Sequence, residues 1–360
     1  EQKVAQLFVV SPETLTGVDS VQYAGDMTYQ ALQDYPVGGI VFAKDNIDSS
    51  SQFGTMTDNL QSYSEEISGL PLFLAAAEEG GSASVLGNND NLDEYYENSY
   101  SDDGSDYSSS SANSVHSGAP SMSEIGRKDD STNAYEAGKS IGSLMSAYGL
   151  NLDLAPVADV LSGNSTGIGN RTFGTDAQTV SDMALEVIRG IQEEDVNAAM
   201  KYFPGYGAAS SNMSGFPVIN SSLDELKKKE FLPYSNAIAQ GMDFVMVGHI
   251  SVPNVTGDDT PASLSEKMIS EVLRKDLGFK GIVMTDYLND KTIVKNYGAA
   301  DAAVKAIQAG ADLLLEPDDL EAAYEGVLKA VKKGDITEDR LDESIYRILR
   351  VKLSMQDESS

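Results

Sequence analysis

The stretch VNAAMKYFPGYGAASSNMSGFP, residues 196–217, joins a strand-like apolar run to a glycine-rich loop. The loop after the run decides between two parallel-sheet folds. A doubly wound sheet places G-x-G-x-x-G between a strand and a helix, so that a pyrophosphate meets the helix N-terminus. Here GYGAAS, residues 205–210, lacks the last glycine, and Pro217 precedes the next helical pattern, which begins near Ser222. The dinucleotide-binding reading is disfavoured.

Working outward, short apolar runs recur along the chain: AQLFVV (5–10), GGIVFA (38–43), PLFLAAA (71–77), NLDLAPV (151–157), NAAMKYF (197–203), DFVMVGHI (243–250), GIVMTDY (281–287) and DLLLEP (312–317). Segments with helical spacing separate most of them, as in 176–194 and 222–240. Strands buried on both faces and joined by helices predict a parallel sheet with crossovers. Eight such units predict an α/β fold, a (β/α)8 TIM-like barrel. One barrel domain is expected over residues 1–350, with a tail at 351–360.

Residues 88–117 do not fit the alternation. This Ser/Asp/Tyr-rich tract carries seven acidic residues, and no Lys or Arg occurs between Lys44 and Arg127. It has too little apolar surface to offset its ordering entropy, so it reads as an acidic insertion leaving the barrel. DDGSD, residues 102–106, offers oxygen ligands but not the twelve-residue calcium-loop spacing that ends in Glu.

The formal net charge of −31 repels phosphate backbones and anionic membrane surfaces, so no nucleic-acid partner is expected. No window approaches the roughly 18 apolar residues of a membrane span, and no leader-like apolar segment follows Glu1. The chain has no cysteine, which excludes disulfides, thiolate nucleophiles and Cys-ligated zinc. With the acidity, this fits an extracellular or bacterial cell-surface protein. No metal or other cofactor is expected.

In such a barrel the active site lies at the C-terminal ends of the strands. The polar residues there are Glu78, Glu79, Asp159, Lys201, His249 and Asp286, and the loop NRTFG adds Arg171. Asp286, ending GIVMTDY, is either a reactive carboxylate at the mouth or an acid that caps the following helix or pairs with a nearby cation. Lys201 either holds a ligand hydroxyl or neutralises a carboxylate. His249 is either catalytic or a satisfied core histidine.

The motifs LPLFLAAAEEGG, NLDLAPVADV, NRTFGTD, KYFPGYG, DFVMVGHISVP and PASLSEKMISEVLRKDLGFKGIVMTDYL, in this order, resemble the N-terminal barrel of glycoside hydrolase family 3, especially bacterial β-N-acetylglucosaminidases. The resemblance runs from about residue 1 to about residue 350, apart from the acidic insertion. It implies that Asp286 is the nucleophile of a retaining glycosidase and that Arg171, Lys201 and His249 bind sugar hydroxyls. The implied partner is a carbohydrate or a peptidoglycan-derived glycan.

Departures from that pattern fall on the acid/base. The family loop reads approximately KHFPGHGDTxxDSH, and its late Asp and His protonate the leaving oxygen; here those positions are Asn212 and Ser214. An amide does not titrate, and a serine hydroxyl is far too weak an acid near neutral pH. The two earlier histidines are Tyr202 and Tyr206. Where the family has DQEGGRV, Ala77 and Ser82 replace the aspartate and arginine that hold sugar hydroxyls. Two readings result: a glycosidase with weak or absent turnover whose substitute acid is sought among Glu78 and Glu79, or a non-catalytic carbohydrate-binding or surface protein on a degenerate scaffold.

Overall fold

A computed structural model describes residues 1–92, 119–162, 168–210 and 215–358. Each of the eight apolar runs contains a strand: β1 Phe8–Val10, β2 Gly39–Val41, β3 Phe73–Ala76, β4 Leu152–Asp153, β5 Asn197–Phe203, β6 Phe244–Val247, β7 Ile282–Thr285 and β8 Leu314–Leu315. Neighbours pair in parallel around the order β7-β6-β5-β4-β3-β2-β1-β8. The ring closes where Met284 bridges Leu313, with Thr285 N–H donating to Leu313 O at 3.0 Å. This is the expected (β/α)8 barrel. Most of insertion 88–117 falls outside the described residues; its start, Asp90–Leu92, forms one 3₁₀ turn.

Local chemistry explains where the helices begin and break. Asp176 caps helix Ala177–Gln192 by accepting from Thr179 N–H at 2.9 Å. The helical pattern over 222–240 forms two helices, Leu223–Lys228 and Leu232–Ala239. Lys229 leaves the helical region at φ −130°, and Pro233, which has no N–H to donate, sits in the first turn of the second helix, where none is needed.

Opposite strands meet across the axis near the N-terminal end, where Phe73 of β3 and Phe244 of β6 pack edge-on at 5.5 Å. The terminal helix Glu338–Glu358 closes this floor. Its Lys352 places Nζ 5.1 Å from the Phe73 ring centre and donates to Gln6 Oε1 at 2.8 Å. Asp312, just before β8, ties the same helix to the sheet. It accepts from Arg274 at 2.5 Å, Ser344 at 2.7 Å, Val283 N–H at 2.9 Å and Arg347 at 3.0 Å. The terminal helix thus covers the N-terminal end of the barrel.

One glycine at that end has a steric reason. A Cβ on Gly207 would lie 2.4 Å from the Val160 carbonyl oxygen. Only glycine lets the loop after β5 lie against the segment after β4, where Gly207 O accepts from Ser162 N–H at 2.9 Å.

Candidate active site

Because all eight strands run parallel, the residues at their C-terminal ends gather at one mouth. Asp286 follows β7, and its own N–H donates to Val247 O of β6 at 2.9 Å. Its Oδ1 accepts from Tyr287 N–H at 2.9 Å, and its Oδ2 accepts from the Tyr206 hydroxyl at 3.1 Å. Asp286 therefore reaches across to the β5 loop and does not cap the next helix, which Asp290 caps instead.

The cations lie on the β3–β5 side. Glu79, buried after β3, receives Arg171 Nε at 2.5 Å and Nη2 at 2.7 Å, and it pairs with Lys201 Nζ. Arg171 Nη2 also donates to the Tyr202 hydroxyl at 2.6 Å. Burial pushes the Glu79 carboxyl up, but Lys201 and then Arg171 outweigh it and hold it below the usual carboxylate range. Lys201 mirrors this: burial works against its charge, while Tyr202 and Glu79 raise it above the ordinary ammonium value. Lys201 therefore stands as the ion-pair partner of Glu79 at the mouth.

His249, after β6, is buried and held at both ring nitrogens. Nδ1 lies 2.7 Å from Ser263 Oγ and Nε2 lies 2.9 Å from the Tyr287 carbonyl oxygen. A carbonyl only accepts, so Nε2 carries the hydrogen. The His249 backbone N–H donates to Tyr206 Oη at 3.0 Å. Asp286 and His249 are thus joined through Tyr206 and Tyr287, Arg171 and Lys201 through Glu79. The Tyr202 and Tyr206 rings, edge-on at 5.2 Å, connect the two halves.

The candidates for a substitute acid have other duties. Glu79 is locked as an anion. Glu78 is pushed up by burial, yet its oxygens accept from Leu86 N–H at 2.7 Å and Gly87 N–H at 3.1 Å, which ties it to its own loop. Asp159, fully buried after β4, is pushed up to about 8 by burial, against the N–H groups of Tyr202 and Tyr206. Its Oδ1 accepts from Tyr202 N–H at 3.3 Å, and its Oδ2 has no hydrogen-bond partner among the described residues. Burial thus favours the protonated form of Asp159 beneath the loop. Asn212 and Ser214 lie outside the described residues.

Sequence reasoning did not assign Tyr202, Tyr206 or Glu79 these contacts. The signal for Glu79 was available: a second acid in EEGG after β3 has no surface reason to sit on a buried strand end.

The family model for the glycosyl hydrolase family 3 N terminal domain matches residues 110–351. A β-hexosaminidase, LpqI of Mycobacterium tuberculosis, is 28% identical over 359 residues, covering 97% of this chain and 82% of that protein. A glycoside hydrolase family 3 β-N-acetylglucosaminidase from a Paenibacillus strain superposes with a TM-score of 0.85 at 31% identity, covering 99% of this chain and 62% of that one. A glycosyl hydrolase of the same family from Mycobacterium smegmatis gives 0.78 at 30% identity, covering 98% and 96%. A closed parallel barrel with its charged residues at the C-terminal mouth and these relatives is a glycoside hydrolase scaffold. The chain belongs to glycosyl hydrolase family 3, and its scaffold is β-hexosaminidase-like.

Proposed function

We propose that this protein is a retaining β-N-acetylhexosaminidase or related β-glycosidase acting on cell-wall or other carbohydrate glycans, with Asp286 as nucleophile and a deficient proton donor. One observation carries the reading: Asp286 stands at the mouth with its carboxylate fixed by Tyr206 and Tyr287 N–H. Attack by Asp286 forms the O–C1 bond of a glycosyl-enzyme as the C1–O bond to the leaving group breaks. Asn212 and Ser214 stand where the resembled family has its acid/base pair, so the departing oxygen keeps its electron pair with little help. General acid catalysis contributes about 10²–10⁴ in rate and matters least for an already stable anion.

An aryl β-N-acetylglucosaminide with an acidic phenol should therefore be cleaved while chitobiose is not. Efficient chitobiose hydrolysis would show a competent acid. No reaction with the aryl substrate would favour a second reading, a non-catalytic carbohydrate-binding or surface protein. That second reading draws on the joint replacement of the family's acid/base pair by Asn212 and Ser214 and of its sugar-holding aspartate and arginine by Ala77 and Ser82. The expected role of Arg171, Lys201 and His249 as sugar-hydroxyl ligands remains part of this proposal, as do a single barrel domain over 1–350 and an extracellular or bacterial cell-surface location. The location draws support from the acidity and the lack of cysteine. Among the described residues no helix is long and apolar enough to cross a membrane.

A further inference from the structure

Tyr206 is where the glycine-rich loop meets Asp286. Its hydroxyl lies 3.1 Å from Asp286 Oδ2 and 3.0 Å from the His249 backbone nitrogen. An N–H can only donate, so the single phenolic proton is committed to the carboxylate. The ring has a built seat: it packs edge-on to Tyr202, and a Cβ on Gly248 would sit 3.0 Å from Tyr206 Cε2. Burial first, and then the Asp286 charge, lift the phenol well above its usual range, so it stays a donor at neutral pH.

We propose that Tyr206 is a positioning residue that favours the free carboxylate of Asp286 over its glycosyl ester, slowing sugar capture and speeding sugar release. The proposal rests on Asp286 being the nucleophile. A hydrogen bond to an ionised acceptor is roughly twice as strong as one to a neutral group. In the first step the Asp286 O–C1 bond forms, and the C1–O bond to the leaving group breaks with its electron pair on the departing oxygen. The carboxylate becomes a neutral ester, and the phenol bond weakens. In the second step a water oxygen bonds C1, the C1–O bond to Asp286 breaks, and the electron pair returns to the carboxylate while the water proton passes to solvent. The phenol bond then regains its full strength. Help in this second step counts because the loop presents Asn212 and Ser214 where the resembled family has its acid/base pair.

The test compares wild type with Tyr206→Phe on 2,4-dinitrophenyl β-N-acetylglucosaminide, by rapid mixing at pH 6. The phenolate burst should be as fast as in wild type or faster, while the steady-state rate falls about 10-fold or more, as expected for loss of a charge-assisted bond. Azide, which attacks C1 without needing a base, should accelerate release in both proteins and leave the 10-fold gap in place. A gap erased by azide would mean that Tyr206 acts on the water, and equal losses in both phases would mean that it only orients Asp286; either overturns the proposal. An unchanged steady state also overturns it. Incorporation of 3-fluorotyrosine at position 206 keeps the ring and strengthens the donor, so release should be faster than in wild type, even if Tyr206→Phe folds poorly. If wild type shows neither a burst nor a covalent adduct on Asp286, the nucleophile assignment fails and takes this proposal with it.

Discussion

Arg171 closes on Glu79 with two parallel hydrogen bonds, Nε to Oε2 at 2.5 Å and Nη2 to Oε1 at 2.7 Å. Lys201, only 3% exposed, pairs with the same Oε1, so one carboxylate offsets two cations at the mouth. Glu79→Gln keeps the shape and leaves those cations facing each other. Removing one partner of a buried pair costs about 3 kcal/mol or more, which urea unfolding at pH 7 would read. The folded Glu79 value lies below the unfolded one of about 4.3, so its contribution is complete above that pH and is lost as pH falls through the folded value. The gap between wild type and variant should narrow as pH falls below about 4.3; a constant gap would show that its charge is not what stabilises.

Asp159→Asn should raise stability at neutral pH. Asp159 titrates near 8 when folded and near about 3.9 unfolded, so the unfolded chain loses its proton first. Its favourable contribution is therefore full below about pH 4 and is lost progressively as pH rises to 8. An amide can take the place of the neutral acid, accept from Tyr202 N–H and never ionise. The variant's advantage should be near zero at pH 4, grow to a few kcal/mol by pH 8 and then level off. An advantage that does not change with pH would contradict the neutral state of Asp159.

Lys352→Met tests the floor of the barrel. Burial brings the Lys352 ammonium down to about 7, against about 10.4 in the unfolded chain. Folding therefore costs nothing at this site above about pH 10.4, and the cost grows as pH falls to 7, below which it is complete. The methionine variant should be more stable than wild type at pH 7, by on the order of a few kcal/mol, and similar to it at pH 10. Loss of the Gln6 contact offsets part of this gain, since Gln6 Nε2 still bonds Pro36 O at 2.8 Å while its Oε1 loses a donor. Equal thermal midpoints at pH 7 and 10 would indicate that Lys352 reaches solvent.

Asp286→Ala should abolish release of an acidic phenol from the aryl glycoside, with or without azide, because no bond to C1 can form. Its stability should stay within about 1 kcal/mol of wild type, since only the Tyr206 bond and one backbone bond are lost. Retained turnover at unchanged stability would move the chemistry to another residue.

Legibility followed physical range. GIVMTDY could be read because a strand buried on both faces is a local pattern, and a parallel strand's end points to the mouth whichever neighbours it has. The helical spacing over 222–240 showed that the segment is helical but not that it breaks before Pro233, whose missing N–H matters only once the helix start is known. His249 was left open between catalysis and a satisfied core residue. Its two ring partners, Ser263 and the Tyr287 carbonyl, are 14 and 38 residues away in the chain.

By itself the sequence determined the barrel, its strand ends and the identity of the residues that could collect there, because burial patterning and crossover connection act over a few residues and leave a periodic trace. Tertiary structure alone decided that Glu79 clamps Arg171 and Lys201, that Tyr206 gives its proton to Asp286, and that burial raises the Asp159 carboxyl. Those outcomes depend on distance and dielectric between groups 31 to 122 residues apart, from Arg171 to Tyr202 and from Glu79 to Lys201. Sequence spacing carries neither quantity; only the closed ring of strands fixes both.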